Sequence, residues 1–299
     1  MGKFYDAIMG LVVGDALGVP FEFRQRDTFK ATDMTGRGTY NQPPGTWSDD
    51  SSMTIATVHA IARCGKICTD AIMYSFFRWL RYADYTARGT VFDVGCTTSK
   101  AIDRYARGWK PESCGGFAEW DNGNDSLMRI LPLAFLNCSL GDVAKVSSLT
   151  HGHVISINAC DIYVSIAQGL IAGQGIREAI ADRVRPEYYL HEKFNRLKAL
   201  DGLTRDEIKS TGFVVDTLEA ALWCLLKSDN YRDCVLMAVN LGGDTDTIAA
   251  VAGGLAGILY GIGGNNGIPE EWIDQIAKNQ EIKAMCEVFE SRFIADQGE

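Results

Sequence analysis

Two acidic segments, almost two hundred residues apart, carry the residue types of a hard-cation site. The first is "GTWSDDSSM", where Ser48, Asp49 and Asp50 stand in a row ahead of an apolar-periodic run. One Ser or Asp at that place is explained by helix N-capping, and acids in a first helical turn suit the helix dipole. A second adjacent carboxylate is not required for that job. If the two side chains converge they repel, and a divalent cation bound through oxygen removes the repulsion, with the Ser48 hydroxyl as a further ligand. On this segment alone, capping and metal binding both stand. The second segment is "NLGGDTDTIAAVAGGLAG", which holds Asp244, Asp246 and Thr247. Residues two apart in a regular helix point roughly 200° apart. On a turn entering a helix they can converge, and Gly242 and Gly243 permit such a turn. A cap plus a turn explains this segment as well. Taken together, each segment offers a hydroxyl residue and two acids at a helix entrance. If they face one another, the donors suffice for two divalent ions sharing ligands.

Further acids sit in loop-like contexts. Asp15 and Glu22 lie in "GDALGVPFEF", and Asp93 in "FDVGCTTSKA". Each reads either as a cap or surface acid or as a carboxylate at the edge of the metal cavity. In "GNDSLMRILP", Gly123, Asn124 and Ser126 precede a hydrophobic segment, so this loop reads as a phosphate cradle or as an ordinary capped helix. In "LTHGH", Thr150 is placed to cap the next helix, leaving His151 to bond a sugar or phosphate or to serve structurally. The chain has no Walker loop, no GxGxxG, no HExxH and no GxSxG elbow. Those absences favour an oxygen-ligated metal over a nucleotide loop, zinc or a serine nucleophile.

The elements that must position these residues read as helices. Helical spacing recurs in "DSSMTIATVHAIARC", "TDAIMYSFFRWLRYA", "VISINACDIYVSIAQGLIAG", "GFVVDTLEAALWCLL", "YRDCVLMAVNL" and "TIAAVAGGLAGILYG". A closing segment runs through "PEEWIDQIAKNQEIKAMCEVFESRFI". Short strands are allowed near Phe21–Phe23, but strand–helix alternation is absent, so the fold class is all-α. The small residues after Asp246 let that helix approach its neighbours closely. Residues 84–128 hold Gly, Thr, Asn and Asp clusters between helical segments, and "WKPESCGGFAEWDNGNDSLMR" reads as a structured loop, a candidate wall of the site. With 299 residues, 46% of them hydrophobic, the chain is long enough to bury a core, and a single compact domain over 1–299 is expected. A net charge of −9 argues against a direct DNA or RNA partner. The nine cysteines form no zinc pattern and read mostly as small buried hydrophobes in a reducing compartment. The N-terminal apolar stretch is interrupted by Asp6 and Asp15 and lacks the basic start of a signal peptide. No membrane span and a cytoplasmic location are expected.

The motifs "GDALGVPFEF", "GTWSDDSSM", "DVGCTT", "GNDSLMRILP", "LTHGH" and "NLGGDTDTIAAVAGGLAG" occur in that order. This ordered set resembles the ADP-ribosylglycohydrolase family, which includes dinitrogenase reductase-activating glycohydrolases and ADP-ribosylarginine hydrolases. The resemblance spans at least Gly10 to Gly261. It implies an all-α fold with a dinuclear Mg²⁺ or Mn²⁺ centre, liganded by Ser48, Asp49 and Asp50 from one side and Asp244, Asp246 and Thr247 from the other. Ser48 stands where the family usually has Thr; the hydroxyl is kept and only the methyl is lost. It further implies Glu22 or Asp93 as acid/base, Asp93 near the substrate, Gly123, Asn124 and Ser126 around the phosphates, and His151 facing ADP-ribose. The implied reaction is hydrolysis of the bond between the distal ribose and an amino-acid side chain, especially arginine, on an ADP-ribosylated protein. Hydrolysis of ADP-ribosylserine or of a small ADP-ribose conjugate, a metal phosphohydrolase cleaving pyrophosphate, and a noncatalytic ADP-ribose-binding relative are the alternatives.

Overall fold

The computed structural model describes residues 2–184 and 191–294. Among these residues the chain forms α1 (Lys3–Gly18), α2 (Asp49–Cys64), α3 (Thr69–Tyr82), α4 (Cys96–Ala106), α5 (Leu140–Ser147) and α6 (Val154–Ile171). It continues through α7 (Ile176–Arg183), α8 (Val214–Leu226), α9 (Tyr231–Val239), α10 (Thr245–Tyr260), α11 (Glu270–Gln275) and α12 (Asn279–Phe293). Only isolated bridges, not strands, occur among the described residues. The expected all-α class is therefore what the structure has.

The centre is an antiparallel pair, α1 against α10. Every residue from Ala7 to Gly18 and from Thr245 to Ile258 is buried. The two backbones touch along a glycine stripe. A Cβ at Gly10 would lie 2.3 Å from the Gly253 carbonyl oxygen, one at Gly14 would lie 2.1 Å from that of Ala249, and one at Gly18 would lie 2.3 Å from Cα of Asp246. From the other side, a Cβ at Gly257 would meet the Asp6 carbonyl at 2.3 Å. Two buried hydroxyls brace the seam: Tyr231 Oη donates to the Gly10 carbonyl at 2.6 Å and Tyr163 Oη to that of Val251 at 2.9 Å. The remaining helices wrap this pair, with α2 and α12 on one side and α6, α8 and α9 on the other. The stretch Lys3–Phe21 and helix α6 are both long and apolar enough to cross a membrane by composition. In the first, 89% of the apolar window is buried inside the protein, which is how a central core helix of a globular fold reads.

Local chemistry accounts for the departures from the sequence expectation. Residues Val19–Phe21 form a 3-10 turn with Pro20 near its start, and Phe23 has φ +63°, so no strand forms there. The C-terminal segment divides into α11 and α12 because Lys278 adopts φ +55° and the Ala277 amide donates to the Gly45 carbonyl at 2.9 Å. The stretch 109–129 holds no α-helix, only the short 3-10 turns Pro111–Ser113 and Glu119–Asp121. Thr150 does not cap α6; the His153 side chain does, accepting from the Ile155 amide at 3.3 Å. All nine cysteines are free, and five of them, Cys114, Cys160, Cys224, Cys234 and Cys286, are buried.

The seam has no slack at Gly14, where the added carbon would meet backbone and not a movable side chain. The Gly14→Ala variant is expected to lose about 1–3 kcal/mol of stability, read as a lower urea midpoint. An unchanged midpoint would show that α1 and α10 can separate freely.

Candidate metal centre

The ends of three central elements meet around a set of buried carboxylates. Asp15 comes from the last turn of α1. Asp49 and Asp50 come from the first turn of α2, which Ser48 caps. Asp244 occupies the N-cap position of α10 without a side-chain capping bond, and Asp246 lies in its first turn. The glycine turn before α10 is as the sequence requires: Gly242 and Gly243 have φ +72° and +73°. It is pinned on both sides, with the Asp244 amide donating to the Ser210 carbonyl at 3.0 Å and the Phe23 amide to the Gly243 carbonyl at 2.7 Å. That second bond also carries Glu22 to the site.

Oxygen atoms of Asp15, Asp50 and Asp246 all lie within 4.8 Å of one another, as do those of Glu22, Asp93 and Asp246. Asp246 thus belongs to both groups. Ser48 and Thr247 adjoin the first group, their hydroxyls donating to Asp50 Oδ2 at 3.0 and 3.4 Å. One oxygen each of Glu22, Asp50, Asp244 and Asp246 is buried without any hydrogen-bond partner. Buried orphan acceptors of this kind are costly unless a proton or cation fills them. All-oxygen donors arranged in two triads sharing a carboxylate fit two hard divalent ions.

Asp15 differs from the others in being well supplied with donors. Its carboxylate accepts from the Ser48 amide at 3.0 Å, the Ser51 amide at 3.0 Å and the Ser51 hydroxyl at 2.5 Å. It therefore caps the N-terminus of α2 from a different helix while facing the first triad. Burial pushes it up to about 6, against the opposing pull of those hydrogen bonds. Asp50, Asp246 and Asp49 are raised by burial first and then by neighbouring carboxylates. Asp49 belongs to neither triad but shares their field. Asp244 also stands beside them: Asn124 Nδ2 donates to its Oδ2 at 2.8 Å.

The two acids that complete the second triad, Glu22 and Asp93, lie on loops. Asp93 is held at φ +55°, and the Thr39 hydroxyl donates to the Glu22 carbonyl at 2.7 Å. Tyr40, which sequence reasoning missed, has its phenol beside both Glu22 and Asp93. Burial, then the Asp93 charge, pushes Glu22 up to about 8, and Asp93 itself rises to about 6 through burial and the Asp244 charge. Nothing local in the sequence marks Tyr40; its contact with two acids separated by seventy residues exists only in the fold.

The 123–126 loop borders the acids, although its side chains are already engaged. Gly123 bridges to Phe213, and the Asn124 amide donates to the Gly212 carbonyl at 3.1 Å. Asn124 Nδ2 spans Thr217 and Asp244. Ser126 is fully buried, its hydroxyl accepting from Ser147 at 3.1 Å and from Cys160 at 3.5 Å. His151 is also fully buried, beneath the loop, with Nε2 3.8 Å from Asp125 Oδ1. Asn124 thus orients a site carboxylate, while Ser126 and His151 support the loop from below. Asp125 is a further acid the sequence reading passed over. Thr98 Oγ1 donates to its Oδ2 at 2.5 Å at the N-terminus of α4, where Gly95 leaves it room.

The ADP-ribosylglycohydrolase family model matches residues 1–298. Over 291 residues the chain is 34% identical to the ADP-ribosylarginine hydrolase Tri1 of Pseudomonas putida (strain GB-1), covering 94% of this chain and 76% of that protein. It is 30% identical to the ADP-ribosyl-[dinitrogen reductase] glycohydrolase of Rhodospirillum rubrum, covering 90% and 88%. A solved structure described as an ADP-ribosylglycohydrolase-related protein complex superposes with a TM-score of 0.84 at 28% identity, covering 98% of both chains. With its buried two-triad carboxylate centre and a family match along nearly all its length, the chain belongs to the ADP-ribosylglycohydrolase family.

Proposed function

We propose that this protein hydrolyses the N-glycosidic bond between ADP-ribose and an arginine side chain of a modified protein, releasing ADP-ribose. The observation that carries the reading is the pair of carboxylate triads sharing Asp246, in a chain similar to ADP-ribosylarginine hydrolases. The ions proposed are Mg²⁺ or Mn²⁺, held by Asp15, Asp50 and Asp246 and by Glu22, Asp93 and Asp246, with Ser48, Asp49, Asp244 and Thr247 alongside. When bound, they supply Lewis acidity toward sugar hydroxyls and an acidified water. A working place in the cytoplasm, as one domain over 1–299, belongs to the same proposal and suits nine free cysteines.

The residues divide the remaining work. The bond from the distal ribose C1″ to the guanidine nitrogen breaks, and the nitrogen leaves with the electron pair. A water oxygen bonds to C1″ and gives up one proton, while the leaving guanidine takes one. Glu22 and Asp93 stand side by side, and the one of the two that does not ligate the ion takes up and gives back the proton in these transfers. The surrounding carboxylates, including Asp49 and Asp244, offset the positive charge that develops at the anomeric carbon. The backbone of Gly123 and Asn124 offers the substrate a rigid wall.

Incubating the pure chain with ADP-ribosylated arginine peptide and Mg²⁺ or Mn²⁺ is expected to release intact ADP-ribose, identified by mass. AMP as product would mark a pyrophosphatase, and release only from serine-linked substrate would move the acceptor. Because Asp246 serves both triads, Asp246→Asn is expected to lower kcat/KM on the order of 10²-fold or more. Asp49→Asn is expected to cost less. Equal effects would remove Asp246 from its central place.

A second outcome follows from the raised carboxylates. Unfolded Glu22 and Asp93 titrate at 4.5 and 3.8, whereas the folded values are about 8 and about 6. Between these limits the ion-free folded chain binds more protons than the unfolded one, so its stability falls as pH rises. The contribution is complete below pH about 4 and gone above about 8. In chelator, the urea midpoint is expected to be lower at pH about 8.5 than at about 5, with added Mg²⁺ or Mn²⁺ restoring it at the higher pH. A midpoint that climbs with pH in chelator would contradict the burial of these acids.

A further inference from the structure

Behind the 123–126 loop lies a polar chain that the acid chemistry does not use. Arg129 is fully buried, with its guanidinium carbon 4.7 Å from the centre of the Phe76 ring. Its Nη2 donates to the Val146 carbonyl at 3.2 Å and to Thr150 Oγ1 at 2.8 Å. Thr150 Oγ1 lies 2.9 Å from His151 Nδ1. At the far edge of the imidazole, Nε2 has no hydrogen-bond partner and faces Asp125 Oδ1 at 3.8 Å. A Cβ at Gly123 would come within 3.1 Å of Nε2, so the loop backbone rests directly on this edge.

We propose that Arg129, acting through Thr150, fixes His151 as the Nε2–H tautomer. The imidazole is then a neutral donor that positions Asp125 and the 123–126 loop, and it does not accept a proton in the reaction. Two independent arguments carry this. The first is a count of hydrogens. Arg129 can only donate, so Thr150 Oγ1 is its acceptor. The single Thr150 hydroxyl proton then has His151 Nδ1 as its partner. With the opposite tautomer, the Thr150 oxygen would accept twice, its own proton would be buried without a partner and the Nε2 lone pair would be unpaired as well; with Nε2–H the only unpaired atom is that donor, which at least faces a carboxylate. The second is the charge at the other edge. An Nε2 lone pair facing the Asp125 carboxylate would repel it, while an Nε2–H is attracted. Burial, which holds the imidazole below its usual range, keeps it neutral.

Asp125 is in turn anchored by Thr98 in the first turn of α4, five residues after Asp93. The relay therefore joins the loop that walls the site to the segment bearing a site carboxylate. Arg129, Thr150 and His151 are positioning residues: none of them reaches the carboxylate triads.

The tautomer can be read directly, without any substrate, by long-range ¹H–¹⁵N correlation on the full-length labelled chain. The four histidines are few enough for His151→Asn to identify the signal. The expected spectrum near neutral pH has a pyrrole-type Nε2 and a pyridine-type Nδ1. Thr150→Val, which keeps the shape and removes the proton, is expected to shift this signal toward the other tautomer, and Thr150→Ser to restore it. An Nδ1–H tautomer or an imidazolium in the unmodified chain overturns the proposal, and that spectrum decides alone if Thr150→Val does not fold. The effect on ligand rests on the proposed function: Thr150→Val is expected to weaken ADP-ribose binding roughly 3- to 10-fold, with Thr150→Ser near the unmodified value. A shifted tautomer with unchanged affinity supports the relay and counts against the ADP-ribose reading. An unshifted tautomer in Thr150→Val removes the relay.

Discussion

The site depends on two helix backbones being allowed to touch. Along α1 and α10 the contact is between carbonyls and glycine Cα atoms, and at its end Gly18 is pressed against the backbone of Asp246. The Thr245 hydroxyl donates to the Gly18 carbonyl at 2.8 Å and closes the seam. Asp15 is one residue past Gly14, so the same approach sets it beside the start of α10. Asp15 then satisfies the free amides of Ser48 and Ser51, which the buried start of α2 cannot leave unpaired. A constraint on glycine in one helix therefore decides where two other helices begin, and the acids sit at those beginnings.

Magnitudes decide what neutralises these acids. Among the described residues no lysine or arginine pairs with Asp15, Glu22, Asp49, Asp50, Asp93, Asp244 or Asp246. The N-termini of α2 and α10 point at them, yet a helix end contributes only about 0.3–1 kcal/mol per charge, up to ~2 when partly buried. An uncompensated buried carboxylate costs several times that. The helix ends cannot balance the set, so protons or cations must. This is why Glu22 is pushed up to about 8, and why a catalytic proton and a metal charge are alternative answers to one electrostatic problem.

The sequence showed the two acidic helix entrances and the small-residue face of α10 because each signal is local. It hid α1 as a structural element: a helix buried all round carries no polar face, so its periodicity is weak. For the same reason Asp15 looked like a cap in an apolar stretch, although its partners lie more than thirty residues away. Tyr40 and the Arg129–Thr150–His151 chain were illegible for a different cause. Their meaning lies in which hydrogens face which lone pairs, and pairings such as Arg129 with Thr150 form across twenty-one residues. His151 stood between a sugar or phosphate contact and a structural role, because sequence carries no measure of burial; the side chain is fully buried beneath the loop.

The two triads are unlike in what holds them. Asp15 and Asp246 stand on the two helices of the glycine seam and Asp50 on α2, whose start Asp15 caps, so the geometry of this group is set before any ion arrives. Glu22 and Asp93 lie on loops, Asp93 with a left-handed backbone, and their carboxylates come directly up to Asp246 beside the phenol of Tyr40. The first group can act as a fixed anchor, and the second can adjust as charge enters or leaves. Sharing Asp246 makes the adjustment felt by both, because the one carboxylate common to the two groups is also the one whose backbone cannot yield against Gly18. Movement during reaction must therefore fall on the loop-borne pair, the same pair proposed to carry the proton.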